Sequence, residues 1–110
     1  METNFSPVSD AAALEELFAR SHEGPVLLFK HSSTCPISAR AYRQMREVKT
    51  PVSIVVVQKS RDLSRQVEER TGVRHETPQA LVLRNGRVVW NASHFDITSD
   101  VVEQAVRENG

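Results

Sequence analysis

The sequence predicts an α/β fold with a central mixed four-stranded sheet and helices on both faces, in the order αβαβαββα. Apolar runs rich in β-branched residues alternate with segments whose apolar residues recur at helical spacing. Asn85-Gly86 separates two apolar runs, which is typical of an antiparallel hairpin. A chain of 110 residues has the length of one domain, so we expect residues 1–110 to form a single unit.

The first predicted helix and strand precede residue 30. Ser9 or Asp10 can cap the start of the helix, and Gly24-Pro25 ends it. The helix carries an apolar stripe made of Leu14, Leu17 and Phe18. Residues 25–29 form a short apolar run, which indicates a buried strand.

The middle of the chain predicts a second helix, a second strand and a third helix. Pro36 opens a helix with apolar residues at positions 37, 41, 45 and 48. Residues 51–57 are β-branched and almost continuously apolar, so we expect a strand covered on both faces and parallel to the first. From residue 60 to residue 71, Leu63 and Val67 lie one helical turn apart, and Gly72 can form the C-terminal cap.

The last third of the chain predicts a hairpin and a closing helix. Residues 79–84 and 87–90 are the hairpin strands, and both residues of Asn85-Gly86 tolerate the positive φ of a type I′ turn. Thr98 can cap a helix whose apolar residues are Val101, Val102, Ala105 and Val106. Parallel strands joined by helices and followed by a hairpin match the thioredoxin architecture.

Composition excludes several partners. Fourteen basic and fourteen acidic residues give a formal net charge of zero, and no run of one sign reaches five, so we expect neither nucleic acid nor a membrane surface as a partner. The N-terminus lacks a basic start followed by an apolar stretch, and no segment approaches the ~20 apolar residues of a membrane span. We therefore expect a soluble, cytoplasmic protein.

Cys35 is the only cysteine and stands where the first strand gives way to the second helix. Unpaired N–H groups and the positive end of the helix dipole favour thiolate over thiol there, so we interpret Cys35 as a redox nucleophile. Ser38 stands one helical turn on, where a dithiol oxidoreductase carries its resolving cysteine. With one cysteine and scattered histidines we expect no internal disulfide, no metal site and a reducing compartment.

Several segments in order resemble the monothiol bacilliredoxin family, the YtxJ-like proteins of bacillithiol-using bacteria with a thioredoxin-like fold. The segments are Lys30-His31-Ser32-Ser33-Thr34-Cys35-Pro36-Ile37-Ser38, His75-Glu76-Thr77-Pro78-Gln79, Asn85-Gly86, Trp90 and Ser93-His94-Phe95-Asp96-Ile97-Thr98. The resemblance implies reduction of mixed disulfides between client proteins and bacillithiol. It implies no bound cofactor, bacillithiol as co-substrate, an external thiol for regeneration and, we expect, a monomer.

The resemblance also implies a site with two halves. The expected catalytic residues are Cys35, Pro36 and Ser38, whose hydroxyl could bond the thiolate. The expected substrate-binding residues are Lys30, His31, Thr34, Thr77, Pro78 and His94. Pro78 is expected to be cis, which would leave the Thr77 backbone free to pair with an extended substrate.

Bacillithiol carries carboxylates, as the resemblance implies, so basic or donor groups should surround Cys35. The candidates close to it in sequence are Lys30, His31, Arg40 and Arg43. His75 and His94 match positions in the family's motifs, although a structural hydrogen bond explains each equally well. We interpret Trp90, on the last strand, as a packing residue.

Two other classes of function stay open. A peroxide-reducing or redox-sensing cysteine would pass through a sulfenic acid at Cys35, but Ser32 stands where related peroxidases carry threonine. A phosphatase-type cysteine is disfavoured because position 41, where an arginine is needed, is alanine. A non-catalytic binding module with the same fold is the third possibility.

Overall fold

A computed structural model describes residues 5–110. Their strands are β1 (Phe5–Pro7), β2 (Val26–His31), β3 (Val52–Val56), β4 (Gln79–Arg84) and β5 (Arg87–Ser93). Their helices are α1 (Ala11–Arg20), α2 (Pro36–Arg46), α3 (Arg61–Thr71) and α4 (Ser99–Glu108), with a 3₁₀ turn at His94–Asp96. None of these helices is long and apolar enough to cross a membrane.

The strands form one mixed sheet in the order β1-β3-β2-β4-β5. The pairs β1 with β3 and β2 with β3 are parallel, whereas β4 is antiparallel to both β2 and β5. The predicted mixed sheet and the parallel first pair are confirmed, but the sheet has five strands rather than four.

The prediction missed β1 because three residues that include a serine and a proline give no strand signal. Pro7 pairs with Ile54 at the edge of the sheet. A missing backbone N–H costs little at an edge, since that side of the strand has no neighbour to accept from it. The strand is therefore specified by its pairing with β3 more than by its own residues.

Two apolar clusters cover the two faces of the sheet. Side chains alternate along β2, so Leu27 and Phe29 face one cluster while Val26 and Leu28 face the other. The first cluster includes residues of α2 and α4, and the second includes residues of α1 and α3. The central strand is thus buried on both sides and ends between two helical layers.

Four local signals fix the ends of the elements as predicted. The Asp10 carboxylate accepts from the Ala13 N–H at 2.8 Å, and the Thr98 hydroxyl accepts from the Val101 N–H at 3.3 Å. Asn85 and Gly86 have φ of 58° and 81°, as a type I′ turn requires. Gly72 caps α3 with φ of 72°. These residues set where the helices start or stop and form the turn of the hairpin, whose pairing shifts register between Val82 and Leu83.

Replacing Gly72 tests the cost of the α3 cap. A Cβ at Gly72 would meet nothing within 4 Å, so Gly72→Ala should lose only the conformational term, about 1 kcal/mol of unfolding free energy. Gly24→Ala is the matched control, since its Cβ also meets nothing within 4 Å and its φ is not positive. Urea unfolding measures both, and equal stabilities of the two variants would contradict the prediction.

Candidate functional site

Cys35 lies at the junction of β2 and α2. It is the N-cap residue of α2, with φ of −100° and ψ of 124°, and its side chain is half-buried. Pro36 is the first helical residue, where a missing N–H costs no intrahelical bond. The sulfur therefore stands at the positive end of an eleven-residue helix, on a residue that is partly exposed to solvent.

Ser38 lies beneath the loop that carries Cys35. Its side chain is fully buried, and its Oγ accepts a hydrogen bond from the Ser32 N–H at 2.9 Å. The same oxygen lies 2.9 Å from Nδ1 of His31. Within residues 5–110 these are its side-chain partners, so the hydroxyl holds the loop and is not bonded to the Cys35 sulfur.

Gln58 holds the same loop from the other side. Its Nε2 donates to Oγ of Ser32 at 2.9 Å and to Oγ1 of Thr34 at 3.1 Å, and its Oε1 accepts from the Ser33 N–H at 3.2 Å. Gln58 was not among the residues predicted for the site. Its signal is that it follows β3, whose carboxyl end lies beside that of the parallel strand β2.

Lys30 is fully buried, and its ammonium Nζ lies 3.0 Å from Nδ1 of His75. Because an ammonium group only donates, Nδ1 accepts and the ring proton sits on Nε2. That nitrogen lies 3.2 Å from Oγ1 of Thr77 and can donate to it. Lys30 therefore reaches the second half of the site through His75, although we expected it to contact the substrate itself.

The surroundings of Lys30 and His75 disfavour a positive charge on either side chain. Burial lowers the pKa of Lys30 to about 8, while the carboxylates of Glu68 and Glu76 act in the opposite direction. Burial, followed by the Lys30 charge, lowers the pKa of His75, so the imidazole is neutral at pH 7. A neutral His75 between Lys30 and Thr77 is the state that the hydrogen-bond chain requires.

The Thr77-Pro78 peptide bond is cis, as the resemblance predicted. Since Lys30 pairs with Gln79 across β2 and β4, Thr77 and Pro78 lie beside the end of β2, where the Cys35 loop begins. The Pro78 carbonyl accepts from the His94 N–H at 3.0 Å, and Nε2 of His94 lies 3.5 Å from a Glu76 oxygen. His94 therefore braces the Pro78 loop with its backbone and keeps a half-exposed ring beside it.

The ring of His31 packs against two aromatic side chains. Its ring centroid lies 4.9 Å from that of Tyr42 and 5.6 Å from that of Phe29. Burial lowers its pKa, and the Ser38 hydrogen bond acts in the opposite direction. A neutral ring that packs between aromatic residues positions the Cys35 loop and does not supply a positive charge at pH 7.

The two predicted arginines lie on different sides of α2. The Arg40 guanidinium lies 5.5 Å from the centroid of Phe95, whose side chain is 60% exposed. Arg43 is exposed and lines a shallow cavity of about 370 Å³ together with His31, Ser33, Ala39, Tyr42 and Arg46. Trp90 is half-buried and packs against the α2 and α4 side of the core, as interpreted from the sequence.

The geometry places one half-buried cysteine at the start of α2 and a cis-proline loop beside the end of β2, with a polar support for each. No group of histidine, cysteine, aspartate and glutamate side chains that could hold a metal occurs within residues 5–110. Attack by a thiolate on a disulfide needs only an accessible sulfur and a surface that aligns the three sulfur atoms. The site therefore has the parts that thiol–disulfide exchange requires.

Solved structures share this fold. One, described as a candidate oxidoreductase with a thioredoxin fold, is 37% identical over 92% of each chain with a TM-score of 0.83. Thioredoxin from Trypanosoma brucei brucei is 10% identical, with 94% of this chain and 88% of that one covered and a TM-score of 0.74. Spinach chloroplast thioredoxin f is 18% identical, with 98% and 97% covered and a TM-score of 0.68. The fold and site define a thioredoxin-like thiol oxidoreductase.

Within this class, one family of proteins matches the chain. The model of the family described as monothiol bacilliredoxin BrxC matches residues 6–102, which is most of the chain. The chain belongs to the monothiol bacilliredoxin family, as the sequence motifs predicted.

Ser38→Ala tests the support under the Cys35 loop. Without the hydroxyl, the Ser32 N–H and Nδ1 of His31 lose a partner in a part-buried site, so the free energy of unfolding should fall by about 1–3 kcal/mol. Ser64→Ala is the matched control, because Ser64 is also a buried helical serine but its Oγ has no partner. Chemical denaturation that shows an equal loss in both variants would contradict the assigned role of Ser38.

Lys30→Met tests the buried charge. The pKa of Lys30 is about 8 in the folded protein and near 10.4 when unfolded, so the unfolded state holds more protons between these values. The wild-type protein should therefore gain unfolding free energy as the pH rises from 8 towards 10, and the Lys30→Met variant should gain less. Lys59→Met, at an exposed lysine, is the control. Parallel pH profiles of wild type and Lys30→Met would show that Lys30 does not deprotonate on folding.

Proposed function

We propose that this chain is a monothiol disulfide reductase that removes bacillithiol, or a similar low-molecular-weight thiol, from protein mixed disulfides through Cys35. The observation that carries the proposal is the position of the only cysteine, half-buried at the start of α2, with serine at residue 38. Membership of the monothiol bacilliredoxin family supports the choice of substrate.

The first step is exchange at the disulfide. The Cys35 thiolate attacks the sulfur of the small thiol, a new disulfide forms between these two sulfurs, and the client protein leaves as a thiolate that takes a proton from water. Pro36 and Thr34 border the attacking sulfur. The Thr77 backbone and Pro78 form the opposite surface, beside His94.

The second step needs another molecule. Ser38 cannot form a disulfide, so the adduct on Cys35 must be cleared by an external thiol that attacks the small-thiol sulfur, forms a disulfide with it and releases Cys35 as a thiolate. The reaction uses bacillithiol as co-substrate and no bound cofactor. Bacillithiolated client proteins, the regenerating thiol, a cytoplasmic setting and a monomeric state are part of the same proposal.

A single-turnover experiment tests the cycle. A peptide whose cysteine carries bacillithiol is mixed with the protein without any added thiol, and both are followed by mass spectrometry. We expect about one equivalent of free peptide per protein and bacillithiol on Cys35, because no second thiol can resolve the adduct. Added external thiol should restore continuous turnover.

Cys35→Ser is the control for that experiment and should release no peptide. Release by Cys35→Ser at the wild-type rate, or no release by the wild type, would refute the exchange reaction. Repeated turnover without added thiol would refute the one-thiol mechanism while leaving the exchange step intact.

A further inference from the structure

A cavity of about 360 Å³ opens beside α3, at the end of the sheet where Cys35 lies. It is lined by Val57, Gln58, Arg61, Ser64, Arg65, Glu68 and His75, and we call it the α3 cavity. Its volume suits a small molecule. A folded client protein would not fit inside it.

The α3 cavity touches both halves of the exchange site. On one side Gln58 is bonded to the Cys35 loop through Ser32, Ser33 and Thr34. On the other side His75 is bonded to Thr77, beside Pro78. A small molecule seated here contacts Gln58 and His75, each of which is bonded to one half of the site.

The polar groups that line the α3 cavity differ in the hydrogen bonds and ion pairs that they already make. Oγ of Ser64 is buried and has no hydrogen-bond partner within residues 5–110. Glu68 accepts from the His75 N–H at 3.3 Å and acts on the charge of Lys30. Arg65 lies 3.5 Å from Asp62, with both side chains largely exposed, so that ion pair is weak.

Arg61 differs from the other charged groups of the cavity. Its exposed guanidinium makes no ion pair or hydrogen bond with any described residue. A guanidinium binds a carboxylate through two parallel hydrogen bonds, and an unpartnered hydroxyl can donate a third. Arg61, Arg65 and Ser64 together therefore offer donors for a carboxylate, and they outnumber the one carboxylate of the lining, Glu68.

We propose that the α3 cavity binds the carboxylate-bearing end of the low-molecular-weight thiol, with Arg61, Arg65 and Ser64 as its donors. The inference rests on the proposed exchange function and adds a consequence to it. With the small thiol in the cavity, its sulfur lies nearer Cys35 than the client's sulfur does. Attack at that sulfur makes the client protein the leaving group. Binding of the small thiol in the cavity therefore determines that the client is released as a free thiol.

The shallow cavity beside Arg43 and Arg46 is the alternative binding site for the small thiol. It has two arginines and no acidic residue in its lining. However, it lies beside Tyr42, whose ring contacts Phe5 of the edge strand β1 at 4.8 Å between centroids. The order β1-β3-β2-β4-β5 places that edge on the side of β2 opposite to Thr77 and Pro78, so a ligand there would meet only one half of the site.

Kinetics with paired substrates test the proposal. The same peptide is prepared with bacillithiol and, separately, with cysteamine, which has no carboxylate, and release of the peptide is measured with excess external thiol. The Arg61→Gln/Arg65→Gln variant should raise KM for the bacillithiol peptide about tenfold and change that for the cysteamine peptide less than about twofold. Arg87→Gln, at the distant hairpin, is the matched control and should leave both unchanged.

Binding provides a readout that does not depend on turnover. S-methyl bacillithiol is titrated into Cys35→Ala protein by calorimetry, and both the Arg61→Gln/Arg65→Gln and the Ser64→Ala changes should weaken its binding. Unchanged KM and unchanged binding in these variants would overturn the proposal, while wild-type turnover would still support the exchange function. A loss confined to Arg43→Gln/Arg46→Gln would assign the ligand to the other cavity. Binding without any turnover by the wild type would refute the exchange function alone.

Discussion

The last two residues of the central strand connect the two halves of the site. Because side chains alternate along β2, Lys30 points towards the α1 and α3 side and His31 towards the α2 and α4 side. Lys30 reaches Thr77 through His75, and His31 reaches the Cys35 loop through Ser38. One strand that is buried on both faces thus positions the nucleophile and the opposing surface with adjacent residues.

A fully buried lysine costs stability, which the two carboxylates near it offset only in part. An apolar side chain would be more stable at this position of a central strand. The presence of a lysine is therefore explained by the hydrogen bond that its ammonium group makes. It fixes the His75 tautomer, and the Nε2 proton then occupies one lone pair of the Thr77 hydroxyl. The O–H of Thr77 is left free to donate to another group.

Local chemistry is the part of this molecule that the sequence predicts well. The capping residues Asp10 and Thr98, the Gly72 cap and the Asn85-Gly86 turn act within a few residues, so each can be recognised from its own segment. The features that were not predicted depend on contacts between residues that are far apart in the sequence. The edge strand β1 exists through its contact with β3, and Gln58 reaches the Cys35 loop across 24 to 26 positions of sequence. The direction of a side chain inside the fold, as at Lys30, is likewise set by packing.

Ser38 shows how residue 38 is tied into the support of the Cys35 loop. Its oxygen accepts from the Ser32 N–H and meets His31 at hydrogen-bond distance, all in a fully buried position. A thiol is larger and a much weaker hydrogen-bond partner, so a cysteine there would weaken the support that holds the nucleophile's loop. Residue 38 therefore contributes to the site by positioning the Cys35 loop, and in the proposed mechanism the resolving sulfur comes from another molecule. Because Cys35 is only half-buried at the start of α2, the fold leaves part of this residue exposed to solvent.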